Sequence, residues 1–330
     1  MRRGTILVTG GAGYIGSHVV LQLRERGESV VVLDDLSRGF RQSVLDTPLV
    51  VGDMGDRALV TRLLREHAVD TVMHFAAFTI VPESVRDPLK YYANNVCGTR
   101  NLLQCCAESG VRHFVFSSSA AVYGTPASDL AAEDSATAPI NSYGTSKLIS
   151  EWMLRDLAFA SDLRYVALRY FNVAGSDMDG RIGQATPGAT LLIKVASEAT
   201  VGKRPHVSIF GTDYPTPDGT GIRDYIHVQD LAAAHLAALD HLRRDGASAV
   251  LNCGYGHGYS VRQVLDSVQR VSGRSLTIRE EPRRAGDPAV LVAKAERIRA
   301  LLGWSPTLDD LDTIVRSSLD WEAKLLREPW

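Results

Sequence analysis

The sequence predicts an α/β fold: a doubly wound parallel sheet followed by a smaller, more irregular C-terminal α/β lobe. Three features carry this reading. Short apolar runs alternate with segments of helical pattern through the first 180 or so residues. Those runs are continuously apolar, the mark of strands buried on both faces under helical crossovers. After Gly175 the rhythm loosens into Gly/Pro-rich loops, Gly175–Gly188 and Gly211–Gly221, with shorter helices between them. The expected division is residues 1–175 and 176–330, with the chain crossing back to the first unit around 223–253.

In order, the strand candidates are Ile6–Thr9, Val30–Leu33, Leu49–Val51, Thr71–Phe75, Val111–Ser117 and Tyr165–Arg169. Helical patterns between them cover Arg57–His67, Pro88–Glu108 and Tyr143–Ala160. Arg223–Asp230 and Ala249–Cys253 again read as strands. The 330 residues are 45% apolar and 22% charged with a formal net charge of −2, which gives no general attraction to nucleic acid or to an anionic membrane. No apolar stretch reaches membrane-spanning length, and Ile6–Thr9 is too short for the core of a signal peptide. Cys97, Cys105, Cys106 and Cys253 show no metal-ligand spacing, so no metal is expected; the adjacent pair reads as small apolar residues on a helix, and the compartment as a reducing cytoplasm.

The first run leads directly into Gly10-Gly-Ala-Gly13-Tyr-Ile-Gly16-Ser-His, and a helix follows. Glycines at this spacing permit a tight turn, close approach of backbone to a pyrophosphate and tight helix–strand packing, while the helix N-terminus faces the phosphates. Standing alone, such a motif reads as an ordinary glycine turn. Here it sits between strand and helix, and Asp34 ends the next strand eighteen residues beyond Gly16. A carboxylate there takes both ribose hydroxyls and repels a 2′-phosphate, so this Rossmann-type site favours NAD over NADP. Arg38 is the counter-signal, because an arginine nearby can accommodate that phosphate. Asp53 and Phe75-Ala76-Ala77 follow the next two strands and are expected to line the adenine and ribose side; core packing is the competing reading for Phe75.

Ser117-Ser118-Ser119 ends the strand His113-Phe-Val-Phe116, and Tyr143-Gly-Thr-Ser-Lys147 follows after a loop. Tyr143 and Lys147, four residues apart, share one helix face. An ammonium that close favours the phenolate, which would make Tyr143 a usable base below the reference value of about 10. A hydroxyl from the serine run would meet it at the C-terminal end of the sheet.

With these pieces in place the chain resembles the extended short-chain dehydrogenase/reductase family, and within it the UDP-glucose (UDP-galactose) 4-epimerases. The matching runs are Thr9–His18, Pro82–Val85, Tyr91–Asn95, Ser117–Gly124, Leu168–Asn172, Ile209–Thr216, Asp218–His227 and Arg283–Asp287. They span nearly the whole chain, the C-terminal lobe included. The resemblance implies a doubly wound sheet that binds NAD and a small lobe that holds the nucleotide sugar. It implies Tyr143 as catalytic base, Lys147 as its partner and Ser119 as the hydroxyl beside the sugar. Gly10, Gly13, Gly16, Asp34, Asp53 and Asn94 fall on cofactor positions; Tyr14, Ile15, Met54, Phe75, Ala76, Ala77, Ser117, Tyr143, Lys147 and Tyr170 complete that set. Asn172, Arg223, Tyr225, Arg284 and Asp287 fall on positions that hold the nucleotide sugar, joined by Ser119, Tyr143, Leu191, Phe210 and Leu291. The two arginines also make physical sense, since a diphosphate matches forked, permanently charged donors.

Four positions depart from the family pattern. Thr79 stands where many relatives place a lysine against the pyrophosphate, and Leu191 replaces an Asn or His that usually touches substrate. Lys294 sits where Asp is usual. Leu291 occupies the position whose bulk tracks tolerance of an N-acetyl group, and leucine is intermediate there.

The reaction so implied inverts C4 of a UDP-hexose with no net redox change, using NAD to take and return hydride. Tyr143 takes the 4-OH proton, and the 4-keto sugar turns over before hydride returns. Two rivals share the fold. A nucleotide-sugar 4,6-dehydratase calls for acidic residues directly after Ser119, where this chain has Ala120-Ala121. A non-catalytic NAD-binding regulator does not call for intact Tyr143, Lys147 and Ser119. The expected partner is a small UDP-hexose, and the family is usually a homodimer formed through two helices like Pro88–Glu108 and Tyr143–Ala160.

Overall fold

The computed structural model describes residues 4–126, 128–284 and 287–330, so Ala285 and Gly286 of the Arg283–Asp287 run lie outside it. Its centre is a seven-stranded, all-parallel sheet. From edge to edge the strands are Ala249–Cys253, Arg164–Tyr170, His113–Ser117, Val69–His74, Thr5–Thr9, Val30–Asp34 and Leu49–Val51. Alternate residues of one strand face opposite cores: Ile6 and Val8 join one hydrophobic cluster and Leu7 the other. Helices Tyr14–Glu25 and Val228–Arg243 cover the first face with Val19, Leu23, Leu231 and Leu239. Helices Arg57–Glu66 and Thr99–Ser109 cover the second with Val60, Leu63, Leu102 and the fully buried Cys105 and Cys106. Burial on both sides is why the runs read as continuously apolar.

The chain winds outward from Thr5–Thr9 to Leu49–Val51, then returns to the other side at Val69–His74. At that reversal the connections leave in opposite directions, and a crevice opens beyond the carboxyl ends of the strands. Thr9, Asp34, His74, Ser117 and Tyr170 all end strands on this rim.

Two elements differ from expectation. The Arg223–Asp230 segment is two short strands, Ile222–Arg223 and Tyr225–His227, and then a helix begins at Val228. The His227 side chain accepts from the Gln229 backbone N–H and Asp230 sits in the first turn, a cap and an anion suited to a helix start. The Pro88–Glu108 pattern is likewise broken, into Pro88–Tyr91, a π-helical stretch Tyr92–Gly98 and Thr99–Ser109. The wider turns rotate the face and bury Asn95, which then donates to the Phe78 carbonyl (3.0 Å) and the Ser146 hydroxyl (3.0 Å).

The remaining strands are short. Tyr259–Ser260, Ile222–Arg223, Val290–Ala293 and Leu130–Ala131 make one small sheet, with Arg223 beside Leu291. Val207–Phe210 pairs Ile278–Glu281, and Asn172–Ala174 pairs Tyr225–His227. The Tyr14 hydroxyl ties the glycine-motif helix to the Gly175 carbonyl at 2.7 Å. Among the described residues no helix is long and apolar enough to cross a membrane.

Candidate active site

The crevice holds two adjoining cavities of about 440 and 90 Å³ that share Gly10, Gly13, Arg38, Phe75, Ala77 and Phe78. Their common floor is the glycine turn. Gly10 has φ +71°, and a Cβ there would run into the Ala76 backbone; a Cβ at Gly16 would collide with the Gly10 carbonyl. Gly13 then caps a twelve-residue helix whose first N–H groups face the crevice with no acidic residue in the first turn.

The smaller cavity is lined by Asp34, Asp53, Met54, Ala76 and Asn94 besides the shared residues. Asp34 accepts from Ala12 N (2.9 Å) and Leu36 N (2.9 Å), and burial raises its pKa against those two bonds. Asp53 accepts from Gly55 N at 2.7 Å. Arg38 lies 3.6 Å from Glu83, so its charge is already answered by a carboxylate of its own chain. A cradle that excludes side chains, a free helix N-terminus and a ribose-side carboxylate fit a dinucleotide.

Tyr14, Ile15, Gly16, Ser117, Ser119, Tyr143 and Tyr170 line the larger cavity. Asn141 caps the helix Ser142–Ala160 by accepting from Gly144 N at 2.8 Å, which fixes Tyr143 one residue inside the first turn. Ser117 donates to the Tyr170 hydroxyl at 3.1 Å. Lys147 lies behind this wall: its Nζ donates to the Ser117 carbonyl (2.8 Å), 4.9 Å from the Phe116 ring centroid and 6.0 Å from that of Tyr143. Burial pulls the lysine down to about 7, opposed by the Glu151 charge.

The spacing argument holds for place but not for effect. Burial raises the Tyr143 pKa in this structure, and the opposing influence is a hydrogen bond with Ser119. The reason is physical: a desolvated ammonium aimed at a backbone carbonyl has less charge and less reach than one aimed at the phenol.

Asn172, Leu191, Arg223, Asp287 and Leu291 line the same cavity from the C-terminal lobe. Arg223 is aimed by donating to the Ile222 carbonyl at 2.8 Å. Tyr225, Phe210 and Arg284 do not line it. Tyr225 is 3% exposed, a strand residue paired beside Asn172. The Arg284 guanidinium stacks 3.8 Å from the Phe210 ring centroid, and Arg283 stacks on Tyr214 in the same way at 4.2 Å. Residues the sequence reading passed over also line the cavity: Gln184, Thr186, Ala189 and Thr190, from the Gly/Pro-rich loop that carries Leu191. They have no periodicity to betray them.

Comparisons with known proteins agree along the whole chain. A UDP-glucose 4-epimerase of Azospirillum brasilense is 57% identical over 321 residues, covering 97% of this chain and 92% of that protein. The crystal structure of UDP-glucose 4-epimerase from Brucella ovis in complex with NAD superposes with a TM-score of 0.94 at 45% identity, over 96% of this chain and 98% of that one. The UDP-Glc/GlcNAc 4-epimerase of Campylobacter jejuni gives a TM-score of 0.87 at 47% identity, over 98% of this chain and 100% of that one. The pattern of the NAD dependent epimerase/dehydratase family matches residues 6–254, and the chain belongs to that family.

Proposed function

We propose that this chain is an NAD-dependent UDP-hexose 4-epimerase that interconverts UDP-glucose and UDP-galactose. The observation that carries the reading is that Tyr143 and Ser119 face one cavity whose floor continues into the dinucleotide groove. Tyr143 takes the proton from the sugar 4-OH and returns it to the other epimer, with Ser119 holding the 4-oxygen. Lys147 stands behind the phenol, 6.0 Å from its ring centroid, and holds the Ser117 carbonyl of the same wall. NAD, if bound there, would supply the hydride acceptor and donor together with a positive charge. The glycine turn, Asp34, Asp53 and Asn94 hold that cofactor, while Arg223 and Asp287, which line the larger cavity, hold the UDP half. Residues 1–175 thus serve the cofactor and carry the catalytic Tyr143 and Ser119, while 176–330, apart from the stretch around 223–253 that crosses back, serve the nucleotide sugar.

Leu191 and Leu291 face the same cavity and offer the hexose no polar anchor. A 4-keto sugar must turn over between the two half-reactions, so loose contacts at the hexose beside firm contacts at UDP suit the chemistry. Purified protein with added NAD is expected to convert UDP-Gal to UDP-Glc well and UDP-GalNAc to UDP-GlcNAc more slowly. No turnover of any UDP-hexose would sink the reading. Leu291→Ser should raise kcat/KM for UDP-GlcNAc relative to UDP-Glc, and Leu291→Tyr should lower it, by about 1–3 kcal/mol of discrimination. A flat ratio from Ser through Leu to Tyr would remove Leu291 as the gate.

The working unit is a homodimer. Val85 (63% exposed), Leu89 (76%), Trp152 (46%) and Phe159 (96%) leave apolar surface open on the helices Val81–Arg86, Pro88–Tyr91 and Ser142–Ala160, a patch of the kind that partners cover. Light scattering should give twice the chain mass for the native protein and the chain mass for Trp152→Lys; a native monomer would refute the dimer. A reducing cytoplasm suits the four free thiols.

A further inference from the structure

The two cavities of the crevice share Gly10, Gly13, Arg38, Phe75, Ala77 and Phe78. A dinucleotide laid along them places one nucleoside in each and its pyrophosphate at their junction. The glycine turn marks that junction from below, and Arg38 is the one charged residue of the shared set. The backbone that carries Arg38 is stitched to the same turn. Phe40 N donates to the Ala12 carbonyl at 3.0 Å, the Ser43 hydroxyl donates to that carbonyl at 2.7 Å, and a Cβ at Gly39 would run into Ala12. Arg38 is therefore held beside the glycine turn from both its own cavity walls and its own loop.

We infer that Arg38 is a further cofactor-binding residue, whose guanidinium leaves Glu83 to meet the pyrophosphate and does not serve a ribose 2′-phosphate. The inference rests on the NAD-dependent reading and deepens it by naming the cation that the cofactor finds.

The pyrophosphate brings negative charge to a crevice that is short of cations. The N-terminus of the helix Tyr14–Glu25 answers part of it, with the equivalent of about half a positive charge. The smaller cavity works against it. Asp34, Asp35 and Asp53 line that cavity, and Arg38 is its one cation among the described residues. The larger cavity adds Arg223, which lies on a strand of the C-terminal lobe beside Leu291. Lys147 stands behind the wall and donates to the Ser117 carbonyl. Arg38 is left as the cation of the cofactor's own part of the crevice, and its forked N–H groups match paired phosphate oxygens.

Little holds Arg38 back. Its Nη2 stands 3.6 Å from Glu83 Oε2, too far for a hydrogen bond, and its side chain is 40% exposed, so the pair is a weak one. Glu83 does not depend on it. Its Oε1 accepts from Lys90 Nζ at 2.7 Å, and its Oε2 lies 3.0 Å from the Tyr91 hydroxyl. When Arg38 departs, Glu83 keeps a hydrogen bond and a counter-charge.

A 2′-phosphate is the other anion that an arginine here could take. It would add negative charge at the ribose end of the smaller cavity, where Ala12 N and Leu36 N fix the Asp34 carboxylate and Asp35 and Asp53 join it. Three carboxylates against one arginine reject that group. The pyrophosphate lies instead over the glycine turn, where the helix presents N–H groups.

The test is calorimetry on the full chain freed of nucleotide, as native protein, Arg38→Met and Arg38→Lys, with NAD, NADP, ADP and adenosine as ligands. ADP carries the two phosphates without the nicotinamide half, and adenosine carries neither. Arg38→Met is expected to bind NAD and ADP about tenfold more weakly than the native protein, the scale for losing one charge-assisted hydrogen bond, and adenosine as the native protein does. Arg38→Lys should recover part of the loss, because it keeps the charge without the fork. NADP should bind more weakly than NAD to all three proteins. Equal NAD affinity in the native protein and Arg38→Met would make Arg38 a solvated surface charge and overturn the inference. A loss confined to NADP would overturn it by giving the arginine to the 2′-phosphate. An equal loss for adenosine would overturn it too, since damage to the loop and not a phosphate contact would then be the cause. A native chain that binds neither NAD nor ADP refutes the cofactor reading instead, before any variant is compared.

Discussion

Replacing Tyr143 with phenylalanine is expected to lower kcat by at least about 10²-fold, the usual scale for removing a positioned proton-transfer group. Binding of NAD and UDP should stay nearly as in the native protein. The variant isolates chemistry from fold for a structural reason. Among the described residues the side-chain influence on the phenol is the hydrogen bond with Ser119, so loss of the hydroxyl orphans little, and the ring, 6% exposed, keeps its place in the wall. A group acting only in the transition state lowers kcat and kcat/KM by the same factor when removed. Parallel falls in both, with UDP affinity unchanged by calorimetry, are the expected signature. Near-normal turnover in Tyr143→Phe would take the tyrosine out of the mechanism.

Much of this site was legible in the sequence because its parts obey local rules. Glycines at a strand-to-helix turn, a carboxylate ending the next strand and a Tyr–Lys pair one helical turn apart each specify a position without knowledge of the rest. The structure gathers Gly10, Asp34 and Phe75 along the rim of one crevice and puts Tyr143 opposite Ser119, as those rules lead one to expect. What stayed hidden depends on long-range packing. The π-helical stretch Tyr92–Gly98 buries Asn95 beneath the Phe78 loop, and an ordinary helical pattern gives no sign of it. Tyr225 sits in a matching run yet is buried beside Asn172, because strand alternation decides its direction. That burial raises the Tyr143 pKa and pulls Lys147 down follows from how deeply both sit, which spacing alone does not reveal.

The fold itself should be sensitive to mild acid. Four fully buried histidines have depressed values: His18, His227 and His235 near 4 and His74 near 3, with burial as the leading cause in each. None meets a buried carboxylate close enough to reverse that. In the unfolded chain a histidine titrates near about 6.5. Between the two values the unfolded state binds protons that the folded state refuses. The stabilising contribution is therefore complete above the unfolded value and is lost as pH falls toward the folded one. Each such group should remove roughly 2 kcal/mol between pH 7 and pH 5, and the four together roughly 7 kcal/mol, by linkage. That is comparable to the whole stability of many domains, about 5–15 kcal/mol, so the protein should unfold near pH 5 at temperatures it tolerates at pH 7. Urea titrations across this range measure it, and His235→Leu separates the histidines from the carboxylates. His235 packs 4.8 Å from the Phe75 ring, and its Nε2 has no hydrogen-bond partner among the described residues, so leucine gives up few polar contacts there. The variant should lose about a quarter of the pH dependence while matching the native protein at pH 7 to within about 1 kcal/mol, as a volume-conserving core change. An unchanged slope in His235→Leu would mean that acid acts through other groups.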